Sequence, residues 1–202
     1  MSRSENLNPE KNRRIIFWLV GSLAYILIIG VILFLAAGKM DWWGGWRYIL
    51  LMFSCFAFMA GLLLPLDPDL LIERSQIKEN TKNWDRIMVR VMNGSANFLV
   101  PLIAGLDIRF GWSEQMPVWV VCLAAVLMTL SIVFQVWAMA SNTFFSGVVR
   151  IQTDRGHKVV NQGPYHWVRH PGYLGLFFYF LSAACVLGSW WALLPAALAV
   201  GV

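Results

Sequence analysis

From Ile15 to Ala37 no charged residue interrupts an apolar run. At about 1.5 Å of rise per residue, such a run is long enough to cross the ~30 Å hydrocarbon core of a bilayer as a helix. A second apolar run, Tyr48 to Leu66, turns back after a short segment crowded with Trp42, Trp43, Gly44, Gly45 and Trp46, the pattern of an aromatic belt at a membrane interface. The longest polar stretch follows, Asp67 to Arg90, and opens with Asp67-Pro68, a pairing suited to a helix start. Leu70, Ile77, Trp84 and Val91 recur at seven-residue spacing between its charges and just beyond them. This fits a helix lying in the interface plane, and it equally fits a solvated linker helix. Further apolar segments are expected at 95–108, a short one containing Pro101, and at 117–140.

A polar loop, Ser141 to His170, leads to a last stretch, Pro171 to Val202, that holds no Asp, Glu, Lys or Arg. Gly188 and Pro195 are placed to divide that stretch into a bent helix or a tight helical pair. The pattern as a whole predicts an all-α fold: a polytopic membrane helical bundle of five to six transmembrane segments. Its organisation reads as N-terminal transmembrane helices over 1–140, with an interfacial segment near 67–90, followed over 141–202 by the loop and the C-terminal transmembrane helices. The run ends without the polar flank that ordinarily closes a spanning segment, so the sequence is expected to be truncated there.

Composition agrees. Of 202 residues 58% are hydrophobic and only 13% charged, against about 25% charged in an average soluble domain. That excludes an ordinary water-soluble globule and a disordered chain. The apolar run at 15–37 is too long for the core of a signal peptide and no small-x-small cleavage site precedes Lys39, so it reads as a retained first helix. The net charge of +5 is explained by where the cations lie. Of the 16 Lys and Arg residues, all but Lys39, Arg47 and Arg109 fall in the N-terminal tail, the 67–90 segment or the 141–170 loop. This alternation places the N-terminus and the 141–170 loop on the cytoplasmic side and leaves no charge to be accounted for by nucleic acid. Cys55, Cys122 and Cys185 sit singly in apolar runs, which supports neither a disulfide framework nor a CxxC metal site.

All 3 histidines, His157, His166 and His170, lie in the one polar loop. Their spacing matches no structural zinc pattern, and no G-x-S-x-G nucleophile elbow is present, so no metal is expected. Gly163-Pro164 marks a turn, and Pro171 suits the first turn of a helix. Helix-start N–H groups beside Arg169 and His170 would suit an anionic group such as a carboxylate. Tyr165, Trp167 and Tyr173 offer aromatic faces for a flat ring or a sulfonium cation. On residue types alone, a basic interfacial loop touching lipid headgroups competes with a small-molecule site.

The order G-P-Y-x-x-V-R-H-P-x-Y-x-G, from Gly163 to Gly175, resembles the signature of the isoprenylcysteine carboxyl methyltransferase family and its bacterial relatives. Asn142, Phe144 and R-I-Q-x-x-R-G-H-x-V-V (Arg150 to Val160) resemble those relatives too, as do, more weakly, Leu70-Leu71-Ile72-Glu73-Arg74 and Trp84-Asp85-Arg86. The resemblance implies an integral membrane methyltransferase of a bacterial inner membrane. It would use S-adenosylmethionine held over a cytoplasmic loop, with a lipophilic or lipidated substrate arriving from the bilayer. By matching position, Gln152, His157, Val159, Val160, Tyr165, His170, Pro171 and Tyr173 would line the cofactor site, and Arg169 and His170 would serve catalysis. Family members continue into a polar segment carrying an Arg and a Glu-Glu pair. Here no acidic residue follows Asp154 and no basic residue follows Arg169, which again points to truncation. Three readings compete with this one: phospholipid amine methylation; a sterol-reductase-like enzyme using NADPH, for which an Asn is expected where Gly172 stands; and a non-catalytic protein binding anionic lipid.

Overall fold

The computed structural model describes residues 9–66, 83–142, 145 and 160–201. Gln152, His157, Val159 and most of the polar stretch read as interfacial, 67–82, lie outside the described residues. The described residues form helices and turns, with no strand among them. Helix α1 is Pro9–Ala37 and α2 is Trp43–Leu66. Next come α3, Asn83–Gly94, a π turn at Ser95–Leu99, and α4, Val100–Phe110, which follow one another without a break. Helix α5 is Val118–Ala140, α6 is Pro171–Leu187 and α7 is Leu193–Gly201. Among the described residues, four spans are long and apolar enough to cross a membrane: α1, α2, Ile87–Phe110 and α5. Together with the shorter apolar α6 and α7 they make the all-α polytopic bundle expected from the sequence.

The apolar segment expected at 95–108 is longer, because the span begins at Ile87 and carries Arg90, Asn93 and Asn97 within the helix. Those amides are tolerated because they bond one another and the backbone. Asn93 Nδ2 donates to Val89 O at 2.8 Å, and Asn97 Nδ2 to Asn93 Oδ1 at 3.2 Å. Pro101 does not end the span. The π turn precedes it, Val100 N–H donates to Ser95 O, and Pro101 sits at the first turn of α4, where a missing N–H costs little. The tryptophan cluster divides. Trp43 and Trp46 lie in the first turn of α2 and are exposed, whereas Trp42 is buried edge-on against Phe34, centroids 6.4 Å apart. Gly44 and Gly45 make that possible, since a Cβ on either would strike the Trp42 ring.

Lipid surrounds such a bundle, so helices gain little hydrophobic energy by meeting, and close van der Waals fit decides which pairs pack. Two glycines set the fit here. Gly105 on α4 faces α1 so closely that a Cβ would stand 2.6 Å from Ala36 Cβ and 2.8 Å from Leu33 O. Gly175 on α6 faces α5, where a Cβ would overlap Gln135 Cγ. Outward positions such as Leu35, Leu50, Val118 and Trp119 remain largely exposed, as lipid-facing surfaces do. Cys55 is buried, Cys185 half-buried and Cys122 exposed, all as free thiols.

The last apolar stretch is a tight helical pair. Gly188, with φ +81°, caps α6 in the left-handed region that glycine adopts without a Cβ penalty. The far end of α6 is then tied to two other helices. Arg47 of α2 donates from Nε (3.2 Å) and Nη2 (2.5 Å) to Val186 O. Asp107 of α4 accepts from Ser189 Oγ, Ser113 Oγ and Ser113 N.

Candidate cofactor site

The loop re-enters the described residues at Val160, half-buried, and closes on the near ends of α5 and α6. Gly163 adopts φ +58°, where an L side chain is strained, and a Cβ there would also overlap Ser141 Oγ and press on Trp137 Nε1. It opens a 3₁₀ turn, Gly163–His166, whose Pro164 is fully buried. Pro164 O accepts from Trp167 N at 3.2 Å and from Val168 N at 3.0 Å. The turn is fastened to the end of α5 at two points. Asn142 Nδ2 donates to the Tyr165 hydroxyl at 3.1 Å, and the rings of Trp137 and Trp167 meet edge to face at 5.5 Å. Burial pushes the Tyr165 phenol above its ordinary value, against the lowering effect of the Asn142 bond.

His170 is the N-cap of α6 (φ −128°, ψ 65°), and its carbonyl accepts from Leu174 N at 3.2 Å. The His170 side chain makes no capping hydrogen bond of its own. Pro171 occupies the first helical turn and is buried, which leaves Arg169, His170 and Tyr173 exposed around the helix start. The rings of His170 and Tyr173 lie 5.9 Å apart. Gly172 lets the Phe145 ring approach, since a Cβ there would stand 2.8 Å from it.

Of the residues singled out in the sequence, Tyr165, Arg169, His170, Pro171 and Tyr173 are therefore gathered between the 3₁₀ turn and the first turn of α6, and Val160 lies on the strand of chain leading in. His166 ends the 3₁₀ turn and His170 is the N-cap of α6, so the two stand on different elements. Among the described residues no three His, Cys, Asp or Glu side chains gather as metal ligands would. The sequence reading missed the α5 contribution, namely Trp137 and Ser141 beneath Gly163 and Gln135 against Gly175. A signal existed for Gln135, an amide inside an otherwise apolar membrane run.

An α-helical bundle of membrane-spanning length, with a glycine- and proline-shaped loop set on its α5–α6 pair, defines the class as a polytopic integral membrane protein. Residues 119–200 match the isoprenylcysteine carboxyl methyltransferase (ICMT) family, a stretch that contains nearly all of α5, the whole loop, α6 and most of α7. Over that stretch the chain is similar to the ICMT family. It is similar to a protein-S-isoprenylcysteine O-methyltransferase of Schizosaccharomyces pombe (strain 972 / ATCC 24843), with 24% identity over 125 residues covering 53% of this chain and 52% of the relative. The chain thus spans about half the length of the curated relative it matches. No solved structure matches it.

Proposed function

We propose that the protein transfers the methyl group of S-adenosylmethionine to a lipid-like acceptor, with the carboxylate of a prenylated cysteine as the acceptor that its yeast relative's name suggests. The observation that carries this reading is the overlap of the family match with the loop–α6 unit, in which Tyr165, His170 and Tyr173 are held together by the 3₁₀ turn and the helix start. The donor set suits the cofactor. Arg169 and His170 at the start of α6 complement a carboxylate. The Tyr165 and Tyr173 rings suit an adenine face or a sulfonium. Val160 offers an apolar wall, to which Gln152, His157 and Val159 would add.

When bound, the cofactor supplies a methyl carbon already activated on a sulfonium, so neither a metal nor a covalent enzyme intermediate is required. The residues of this chain have three tasks: to bind, to align acceptor and methyl group in line, and to keep water out. Trp137 and Trp167 close the loop on the α5 side, and Phe145 covers Gly172. A carboxylate acceptor is ionised near neutral pH and needs no base, whereas an amine would need one, and His170 is the nearest. The distribution of Lys and Arg supports a cytoplasmic N-terminus and loop, and the resemblance of the loop supports a bacterial inner membrane.

The test is binding of S-adenosylhomocysteine by the full-length protein in detergent, compared with His170→Ala and Tyr165→Phe. Binding that weakens at least about tenfold in His170→Ala is expected. No binding by the parent protein defeats the reading, and NADPH binding in its place favours the reductase alternative.

A further inference from the structure

The end of the bundle opposite the loop carries an exposed group of aromatic rings with a cation seated on it. The Arg109 guanidinium lies over the Phe110 ring, 5.6 Å from its centroid. Phe110 stacks on Trp112, with centroids 5.7 Å apart and planes 19° from parallel, and Trp112 meets Trp191 edge to face at 6.5 Å and 75°. Phe110, Trp112 and Trp191 are all exposed, as is Arg109. A belt of aromatic rings at the membrane interface accounts for exposed rings one by one. It does not account for rings from two distant parts of the chain being held in a fixed arrangement with a cation on top.

Three local features hold them. Gly111, at φ +63°, ends α4 in the left-handed region, and its N–H donates to Asp107 O at 2.7 Å, which turns the chain so that Trp112 comes back against Phe110. Gly38, at φ +66°, ends α1, and a Cβ there would stand 3.3 Å from Arg109 Nε, so this glycine leaves the space beside the Arg109 side chain. Asp107 sets the two tryptophans side by side, because its buried carboxylate accepts from Ser113, next to Trp112, and from Ser189, two residues before Trp191. Among the described residues no carboxylate pairs with Arg109. Arg47 at the same end differs, since its guanidinium is engaged with Val186 O. Arg109 is therefore an exposed cation whose charge is not neutralised, fixed at the edge of a preorganised aromatic corner.

We infer that Arg109 and the Phe110–Trp112–Trp191 group form a headgroup site for a zwitterionic phospholipid of the surrounding membrane. The guanidinium takes the phosphate, for which its fork of N–H donors is suited. The electron-rich ring faces at the corner between Trp112 and Trp191 take the ammonium that the same headgroup carries a few bonds away. An anionic lipid without an amine satisfies Arg109 alone and leaves the corner empty, so the site selects the lipid that offers both charges. The inference is independent of the methyltransferase reading, since it concerns the opposite end of the bundle.

The experiment reconstitutes the full chain in phosphatidylglycerol nanodiscs that contain a small fraction of a photoreactive phospholipid. The probe carries a diazirine on the acyl chain close to the glycerol, with an ethanolamine headgroup in one set and a glycerol headgroup in the other. Labelled peptides are mapped by mass spectrometry and normalised to labelling of the outward face of α5. The ethanolamine probe is expected to label the peptides holding Phe110–Trp112 and Trp190–Leu193 at least about threefold more than the glycerol probe. Arg109→Gln is expected to lower labelling there by both probes about fivefold. Trp191→Leu is expected to abolish the preference for ethanolamine while keeping glycerol labelling, and Trp191→Phe, which retains an aromatic face, to keep the preference. Thermal unfolding verifies that each variant is folded. Equal labelling of the parent by the two probes, which is what an aromatic belt alone produces, overturns the inference. So does an Arg109→Gln protein labelled like the parent, or a preference lost as fully in Trp191→Phe as in Trp191→Leu.

Discussion

Ser189 Oγ donates to the Asp107 carboxylate at 2.5 Å across 82 positions of sequence, joining the end of α4 to the turn between α6 and α7. The same carboxylate accepts from Ser113 N at 2.9 Å and Ser113 Oγ at 2.7 Å, and Ser189 Oγ accepts from Ala192 N at 3.2 Å. Asp107→Ala leaves several buried donors without partners, and each unpaired group costs about 1–3 kcal/mol. A loss of about 2–4 kcal/mol is expected, with Asp107→Asn losing less because its amide oxygen still accepts. Thermal unfolding in nanodiscs measures the difference, and an Asp107→Ala protein as stable as the parent refutes it.

Gly163→Ala is expected to damage the loop and spare the bundle. The backbone strain at φ +58° is worth about 1–2 kcal/mol, and the new Cβ would also have to displace Ser141. Helical content should be unchanged by circular dichroism, whereas S-adenosylhomocysteine affinity should fall by about tenfold or more.

The Tyr165 phenol carries a pH signature. In the unfolded chain it ionises near 10, and in the folded protein burial holds its proton to higher pH. The folded state therefore binds more protons in that window, so the contribution of Tyr165 is intact below about pH 10 and is lost as pH rises beyond it. Denaturation from about pH 9 to about pH 11 should show an extra loss of stability in the parent that Tyr165→Phe lacks. At neutral pH the Phe variant should be weaker by about 1 kcal/mol, having lost the acceptor of Asn142.

At the crossing of α1 and α4, Gly105→Leu is expected to separate the helices, since even a single Cβ at that position meets Ala36 and Leu33 O inside contact distance. A loss of about 2 kcal/mol or more is expected from overpacking. Gly61→Leu, at a position with nothing within 4 Å of a Cβ, is the control and should change stability by less than about 1 kcal/mol.

The apolar runs made most of the bundle legible. Helices α1, α2 and α5 span the runs read from hydropathy because no charged residue interrupts those runs. The third span was misjudged at its start, since Arg90 and Asn93 look like loop residues until the bonds of Asn93 to Val89 O and to Asn97 are known. Nothing in one-dimensional pattern announces a π turn that moves Pro101 to a harmless position. At the site, Gly163, Pro164, His170 and Pro171 were legible because turn and helix-start chemistry is local. Trp137 and Ser141 were not, because their roles arise only when α5 packs against the loop.

Arg47 holding Val186 O, and Asp107 holding Ser189, make the far end of α6 the immobile end of a lever. Sliding or turning that helix would break both attachments at once. Adjustment to an arriving ligand is therefore left to the His170 end, where the side chains of Arg169, His170 and Tyr173 are exposed. Slow amide hydrogen exchange over Ala183–Leu187 beside faster exchange over Gly172–Leu174 is the asymmetry that such an arrangement produces.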